Sequence, residues 1–514
     1  MPRPKKPLKP RSLFASPVPK AVEKPKVKWR VLPIMWMALK RGAMLLGFML
    51  ILSSMISLFT LGALVDKQKP VMPDRSALYI DFKEPIAEIP EDPSLSVPFP
   101  MEQPTLRQYV MAIERAKHDD RISGIVARMR DGVGFSLAQA QELRNAIKSF
   151  RESGKFTSIY SSSFGGSGGG LSRYYLASSF DEMWMQPLGV VGIAGINLEM
   201  PFFRGTLDKI GVTPDFFQKQ EYKTAYESFT NAQMSPENRE MMELLVSDLK
   251  SELVSGIAEN RAMSEAEFTA LVNEGLFTAE EALAANLIDK IDYADVLLDK
   301  IRADVTGNPD ADESEDVLLS LRDYIEFTGK PAKGVKTVKP NVALVYIVGA
   351  IMHGSNLEAK SSSVFLNDGI ATSNVIAPAI FDAAEREDID TIILRVDSPG
   401  GSPSASEAIL RAVEKAKEDG KTVIVSMGGT AASGGYWVSA YADRIFASPM
   451  TITGSIGVVG GKFVLRDFWE KIGANWDSVN WGENADMWSM NSTFDASAEK
   501  QVNEMLDNVY SNFI

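Results

Sequence analysis

Laid on itself, the chain matches itself. Ala77-Leu78-Tyr79-Ile80 falls on Ala343-Leu344-Val345-Tyr346 at a shift of 266, and Ile125-Val126-Ala127-Arg128 on Ile392-Ile393-Leu394-Arg395 at 267. Gly154-Lys155 meets Gly420-Lys421 at 266. Past a loop of different length the shift settles at 262: Tyr174-Tyr175 meets Tyr436-Trp437, Pro187 meets Pro449, Lys209-Ile210-Gly211 meets Lys471-Ile472-Gly473, and Glu237 meets Glu499. Coincidence does not hold a register over so many landmarks, so residues 75–302 and 341–514 read as tandem copies of one domain. The stretch between them, 303–340, is polar and punctuated by glycine and proline, and reads as a linker.

Each copy alternates short apolar runs with helix-period segments. VALVYIVG and TIILRVDS read as strands. SASEAILRAVEKAKEDG has apolar positions at 3–4 spacing and a closing glycine, and reads as a helix leading to the strand KTVIVSMGG. Strands alternating with helices predict an α/β fold with a mostly parallel sheet in each copy. The first copy runs on past MSPENREMMELLVSDL through GLFTAEEALAANLIDKID, whereas the second stops at Ile514 inside the equivalent helix. Repeat logic therefore expects roughly 40–50 further residues to finish the second copy.

The amino-terminal region belongs to neither copy. Residues 1–41 hold twelve Lys/Arg, one acid and eight prolines, while the whole chain carries a net charge of −13. The body is thus strongly acidic, which disfavours nucleic acid as a partner. Residues 42–65, GAMLLGFMLILSSMISLFTLGALV, carry no charge over 24 positions, enough for a helix to span a bilayer. No small-x-small cleavage signal precedes Asp66, so the run reads as an uncleaved anchor. The positive-inside rule then leaves the tail in the cytoplasm and everything after Val65 exported.

Composition narrows the chemistry. Without cysteine there is no thiol nucleophile and no thiolate metal site, and two histidines, His118 and His353, leave little room for a Ser-His-Asp triad. His118 beside Asp119-Asp120 reads as a solvated helix end, and His353 as a strand-end residue. Any hydrolysis needs another base. In SMGGTAASGGYW (426–437), small residues flank Ser433, and Gly434-Gly435 open an apolar helix; a serine at such a turn sits beside free backbone N–H groups. DSPGGS (397–402) follows a strand and offers further donors at Gly400 and Gly401. Taken alone, each motif reads as a packing or turn sequence.

The two copies disagree where chemistry would lie. Ser433 falls on Leu171, so the first copy lacks the serine; Lys223, in QKQEYKTAYESF, falls on Ala485, so the second lacks the lysine. Reciprocal loss is what one composite site between copies produces. A neutral amine can take a hydroxyl proton during attack on a carbonyl. Lysine's pKa must then fall from about 10.4 to roughly 7–8, at a cost of about 4 kcal/mol, by burial in a water-poor interface. Tyr222, Ala225 and Tyr226 are the expected walls, with Glu221 and Glu227 pointing away. Ser455, in TGSIG, is the expected orienter of the amine.

DSPGGS (397–402), SMGGTAASGGYW (426–437), TGSIGV (453–458) and EYKTAYESF (221–229) together resemble the long, duplicated form of the signal peptide peptidase family, the protease IV type. Its members are Ser-Lys peptidases built on the Clp-protease/crotonase-like fold. The resemblance implies Ser433 as nucleophile, Lys223 as general base, Ser455 as the residue that positions the lysine, and Gly400, Gly401 and Gly434 as the oxyanion region. It implies no cofactor and no metal. The implied substrates are apolar signal-peptide remnants, handled by a bowl-shaped homo-oligomer at the bacterial cytoplasmic membrane. Two other readings stand beside it: a non-catalytic membrane scaffold of the same fold, and a crotonase-like acyl-CoA enzyme. Retention of Ser433 and Lys223 in complementary copies argues against the scaffold, and an exported location argues against acyl-CoA chemistry.

Overall fold

The computed structural model describes residues 72–90, 103–132, 134–165, 170–311, 317–329, 341–354 and 369–514, with scattered positions between 36 and 57. Met1–Val71 and Met72–Ile514 are separate compact units. In the first, the described positions of the expected anchor are helical and expose Met44, Leu46, Phe48, Met49 and Ile51. Among the described residues no helix is long and apolar enough to cross a membrane; the remainder of 42–65 and nearly all of the basic tail lie outside them.

In the larger unit the first copy contributes β1 (Ser76–Phe82), β2 (Ile122–Met129), β3 (Phe156–Ser161), β4 (Glu182–Met185), β5 (Val190–Gly192), β6 (Thr213–Lys219), β7 (Leu276–Thr278), β8 (Lys290–Ile291) and β9 (Leu318–Ser320). A parallel sheet runs β8-β4-β3-β2-β1-β9, and β5 pairs antiparallel with β7. The second copy contributes β10 (Val342–Val348), β11 (Ala350–Met352), β12 (Ile370–Thr372), β13 (Thr391–Ser398), β14 (Thr422–Ala432), β15 (Arg444–Phe446), β16 (Ile452–Gly454) and β17 (Val458–Val464). Its parallel sheet runs β10-β13-β14-β15, with β16 beside the far end of β14. TIILRVDS buries Ile392, Leu394, Val396 and Ser398 at every second position, and on its other face Arg395 is buried as well.

The helices follow their periodicity. Pro403–Glu418 turns Ala405, Ile409, Ala412, Val413 and Ala416 into the core, and its first turn is fixed by Ser402, whose side chain accepts the Ala405 N–H. The matching helix of the first copy, Leu137–Arg151, starts with a reciprocal Ser136–Gln139 capping box. Gly165 and Gly170 of the first copy have a steric cause: a Cβ on Gly170 would lie 2.1 Å from the Gly192 carbonyl oxygen and 2.8 Å from Gly165 Cα. Two loops touch backbone to backbone there.

The stretch read as a linker is more than that. Residue 303 lies inside the helix Ala294–Thr306, and the stretch holds β9 and the helix Leu321–Gly329, which add an edge to the first sheet. Leu319 and Tyr324 are buried, and Tyr324 Oη lies 3.2 Å from an Asp119 oxygen. A three-residue strand with one inward side chain gives no alternation to read, so the polar flanks dominated the pattern.

The copies are clamped by charge. Arg395 on β13 donates to both Glu88 oxygens (3.1 and 3.2 Å), to Glu142 (2.7 Å) and to Ser426 Oγ (3.0 Å). Arg395 is 9% exposed and Glu88 8%, and Glu88 also accepts from Gln139. Removing one partner of such a cluster strands a buried charge. Arg395→Ala is therefore expected to lower unfolding stability by about 3–5 kcal/mol, read by chemical denaturation. Arg130→Ala, at the exposed Arg130–Asp81 pair, should leave the denaturation midpoint essentially unchanged.

Candidate active site

The site forms where four chain segments meet at the carboxyl ends of the second copy's strands. β14 ends at Ala432, and the next residue, Ser433, has φ +52° and ψ −118°. That backbone region is unfavourable for any residue with a Cβ. It is held in place from both sides: the Ser433 N–H donates to the Gly454 carbonyl (2.9 Å), and its own carbonyl accepts the Trp437 N–H (2.9 Å). The turn throws Oγ out of the sheet at the start of the short helix Gly434–Trp437, where it makes no capping bond.

Beside it runs the loop after β13. Gly400 has φ +97°, and a Cβ there would lie 2.5 Å from Gly434 N and 2.7 Å from Ser433 Cβ, so only glycine allows this approach. Sequence reasoning placed Gly400, Gly401 and Gly434 together as oxyanion donors, and the structure separates them. The Gly400 N–H is already given to Ser398 Oγ at 3.1 Å. The Gly401 and Gly434 N–H groups have no partner among the described residues. Gly400 thus serves by its missing side chain, and Gly401 and Gly434 keep donors free.

Lysine arrives from the other copy. β6 and β17 pair antiparallel across the repeat, Lys219 opposite Val458, which lays the residues after β6 against those before β17. Lys223 Nζ lies 3.0 Å from Ser433 Oγ, 2.9 Å from Ser455 Oγ and 2.6 Å from the Ser455 carbonyl oxygen. The carbonyl can only accept, so an amine N–H points there; a second N–H can go to Ser455 Oγ, and the lone pair of the neutral amine then faces Ser433. The Ser455 hydroxyl was foreseen. Its carbonyl, turned inward by φ +53°, was not, since a backbone atom leaves no signature in residue type. Gln220, which opens the Lys223 turn, is also left-handed at φ +73°.

Lys223 is 5% exposed, and burial lowers its pKa to about 8. The expected walls need correction. Tyr222 is exposed and gives its hydroxyl to Glu240, Ala225 is exposed, and Tyr226 stacks on Phe216 at 4.2 Å. The stem of Lys223 packs instead on the second copy, where a Cβ on Gly457 would lie 3.0 Å from Lys223 Cβ. Glu221 is exposed. Glu227 is buried yet spends its carboxylate on the Ser235 N–H (3.2 Å) and Asn238 Nδ2 (2.8 Å), not on the amine. In the counterpart place of the first copy, Leu171 is buried on the helix Gly170–Ala177.

Two expectations follow. The folded-state pKa of Lys223 lies below its unfolded value, so folding stability should rise as pH climbs from about 8 toward the ordinary lysine range. Lys223→Met should abolish that slope and stabilise the protein by about 2 kcal/mol at pH 7, measured by denaturation at several pH values. Ser433→Gly should also stabilise, by about 1 kcal/mol, because glycine accepts this backbone at little cost; an unchanged or lower stability would show the turn to be unstrained.

Comparison with known proteins identifies the family. The model of peptidase family S49 matches residues 149–306 and 415–514, about half of the chain, in two stretches whose starts carry the offset of the repeat. The chain is 32% identical to Protease 4 of Haemophilus influenzae over 73% of its own length and 59% of that protein. It is 31% identical to Protease 4 of Salmonella typhi over 80% of itself and 64% of that protein. With the chloroplastic serine protease SPPA of Arabidopsis thaliana it shares 28% identity over 73% of itself and 53% of that protein. The chain thus spans about three fifths of the length of these relatives.

Proposed function

The chain belongs to peptidase family S49, and on that footing we propose that it is a serine endopeptidase working through a Ser433–Lys223 pair. The observation that carries the reading is the 3.0 Å approach of Lys223 Nζ to Ser433 Oγ at a site where burial lowers the amine's pKa. The proteases named among its relatives support the reaction class.

In the proposed cycle the neutral Lys223 amine takes the Ser433 proton as Oγ attacks a peptide carbonyl carbon. Charge growing on the carbonyl oxygen is met by the Gly401 and Gly434 N–H groups. The Lys223 ammonium then gives its proton to the departing amine, leaving an acyl ester on Ser433. A water molecule, deprotonated by the same amine, attacks the ester and frees the serine. Ser455 keeps the amine aimed throughout, and three donors' worth of hydrogen bonding is available to it once charged: to Ser433, to Ser455 Oγ and to the Ser455 carbonyl. No carboxylate is needed.

The substrate class and location rest on the amino-terminal segment. Its uncharged run, helical and apolar at the described positions, supports a membrane anchor with the peptidase copies outside the cytoplasm. Cleaved signal peptides and similar apolar peptides are the substrates at hand there, and the working form is an assembly of several copies.

The test is hydrolysis of a synthetic signal peptide by the parent, Ser433→Ala and Lys223→Ala chains. Both variants should lose at least about 10³-fold in kcat/KM while keeping their fold. The parent's kcat/KM should rise with pH through about 8, the deprotonation of Lys223. A Lys223→Ala chain that retains activity would sink the pair; a parent that cleaves polar peptides and spares apolar ones would sink the substrate class.

A further inference from the structure

β13 and β14 do not run in step to their ends. Their parallel ladder holds Val396 opposite Met427 and resumes with Ser398 opposite Ala431. Gly428, Gly429 and Thr430 therefore stand against the single residue Asp397, a bulge that adds two residues to β14. Had the ladder simply continued, Gly429 would face Ser398, and Ser433 would lie two steps, about 6.6 Å, farther along the strand. The bulge also marks a change of neighbour. Before it, residues 424–426 pair with β15; after it, residues 430–432 pair with β16, which leads into Ser455. Both serines of the site are thus delivered by chain that lies beyond the bulge.

Asp397 fills the gap that the ladder leaves. Its Oδ1 accepts the N–H of Thr430, an amide inside the bulge, at 2.8 Å. The carboxylate is wrapped closely: a Cβ on Gly428 would lie 2.9 Å from Asp397 Cβ and 3.0 Å from its Cγ. A Cβ on Gly429 would lie 2.8 Å from the hydroxyl of Ser136, which caps the first-copy helix Leu137–Arg151. The flanks are pinned as well. Just before the bulge, Arg395 donates to the Met427 carbonyl at 3.3 Å. The Thr451 hydroxyl donates to the Gly428 carbonyl (2.9 Å), and that of Thr453 to the Ala431 carbonyl (2.8 Å).

The first copy holds the same elements without this device. At the shift of 267 the counterpart of Asp397 is Arg130, which turns to Asp81 at 2.7 Å on the surface. There β3 ends with Ser161 opposite Met129, and among the described residues no ladder to β2 follows. β5, which falls on β16 at the shift of 262, pairs with β7 instead. Only the isolated bridge of Phe164 with Val191 joins it to the chain after β3 among the described residues. Leu171 stands in the place of the serine. Carboxylate, bulge and serine occur together in one copy and are replaced together in the other.

We infer that Asp397 is a positioning residue for the Ser433–Lys223 pair, acting through the bulge of β14 and not on the substrate. It holds Thr430, Thr430 fixes the register of 430–432 on β16, and that register sets Ser433 against Lys223. An apolar side chain at 397 leaves the Thr430 N–H without this acceptor. The two glycines of the bulge then supply freedom where they had supplied fit. A nucleophile misplaced by about 1 Å from its base loses about 10²-fold in rate. The kinetic consequence rests on the proposed Ser-Lys reading, whereas the structural one stands apart from it.

The test compares Asp397→Ala, Asp397→Asn and Thr451→Val in the full chain, with Arg130→Ala as the control from the first copy. On a synthetic signal peptide, Asp397→Ala should lower kcat about 10²-fold and change KM by less than about twofold. Its kcat/KM should still rise with pH through about 8, because Gly457, not the bulge, covers the Lys223 stem. Asp397→Asn keeps an oxygen for Thr430 and should return activity to within about threefold of the parent. Thr451→Val frees the other rim of the bulge and should lose about tenfold, a readout that survives if Asp397→Ala does not fold. Arg130→Ala should match the parent. Independently of catalysis, the Thr430 amide should exchange hydrogen faster in Asp397→Ala than in the parent. A crystal structure of Asp397→Ala should show Ser433 Oγ drawn out of hydrogen-bond distance of Lys223 Nζ. Asparagine as slow as alanine, a loss carried by KM, or Ser433 still 3.0 Å from Lys223 in Asp397→Ala would each overturn the assignment. A parent that cleaves no peptide sinks the peptidase reading, while the Thr430 exchange and the Ser433–Lys223 distance still decide the role of Asp397.

Discussion

The proposed Ser433–Lys223 chemistry hangs on one antiparallel strand pair. β6 and β17 come from different copies, and their ladder lays the turn after one against the turn before the other. Lys223 and Ser455 meet because of it, and Ser433 meets both because β16, which pairs with β14, leads directly into Ser455. A ladder fixes position along a strand to a fraction of a residue, and a slip by one would turn every side chain to the other face. A buried amine needs that exactness of placement, since its lone pair must be aimed while its charge is kept out of water.

The site collects unfavourable backbone. Ser433, Ser455 and Gln220 all have positive φ, and all three lie in the turns that form the site. Each would relax if its turn were free. None is, because Ser433 is tied to Gly454, Gly400 packs against Gly434, and Gly457 lies against the stem of Lys223. Packing elsewhere in the two copies bears this strain, together with the desolvation of the lysine. The Arg395–Glu88–Glu142 cluster also ties β13 of the second copy to the first copy.

Duplication explains how such a site can divide its labour. When two equal domains pair through equivalent elements, each contact can carry one serine place and one lysine place. Once the serine stays in one copy and the lysine in the other, one class of contact keeps the chemistry. At the counterpart positions stand Leu171 and Ala485, which carry neither a hydroxyl nor an amine.

The sequence by itself determined the repeat, the α/β alternation and the residues where the copies differ. These are legible because register, periodicity and residue type are linear properties: Ser433 against Leu171 and Lys223 against Ala485 need only a shift of 262 to be seen. It also carried the capping and core patterns of helices such as Pro403–Glu418. Tertiary structure alone decided which backbone atoms serve the site. The Ser455 carbonyl beside Lys223 and the burial of Lys223 by Gly457 arise from segments more than two hundred residues apart, and Ser398 meets the Gly400 N–H, two residues on, while its hydroxyl is held by the distant Gly349 carbonyl. The three residues of β9, likewise, become a strand only because β1 offers them an edge. A backbone group has the same formula in every residue, so no alignment of letters can say which one turns inward; only the packing of the two copies against each other does.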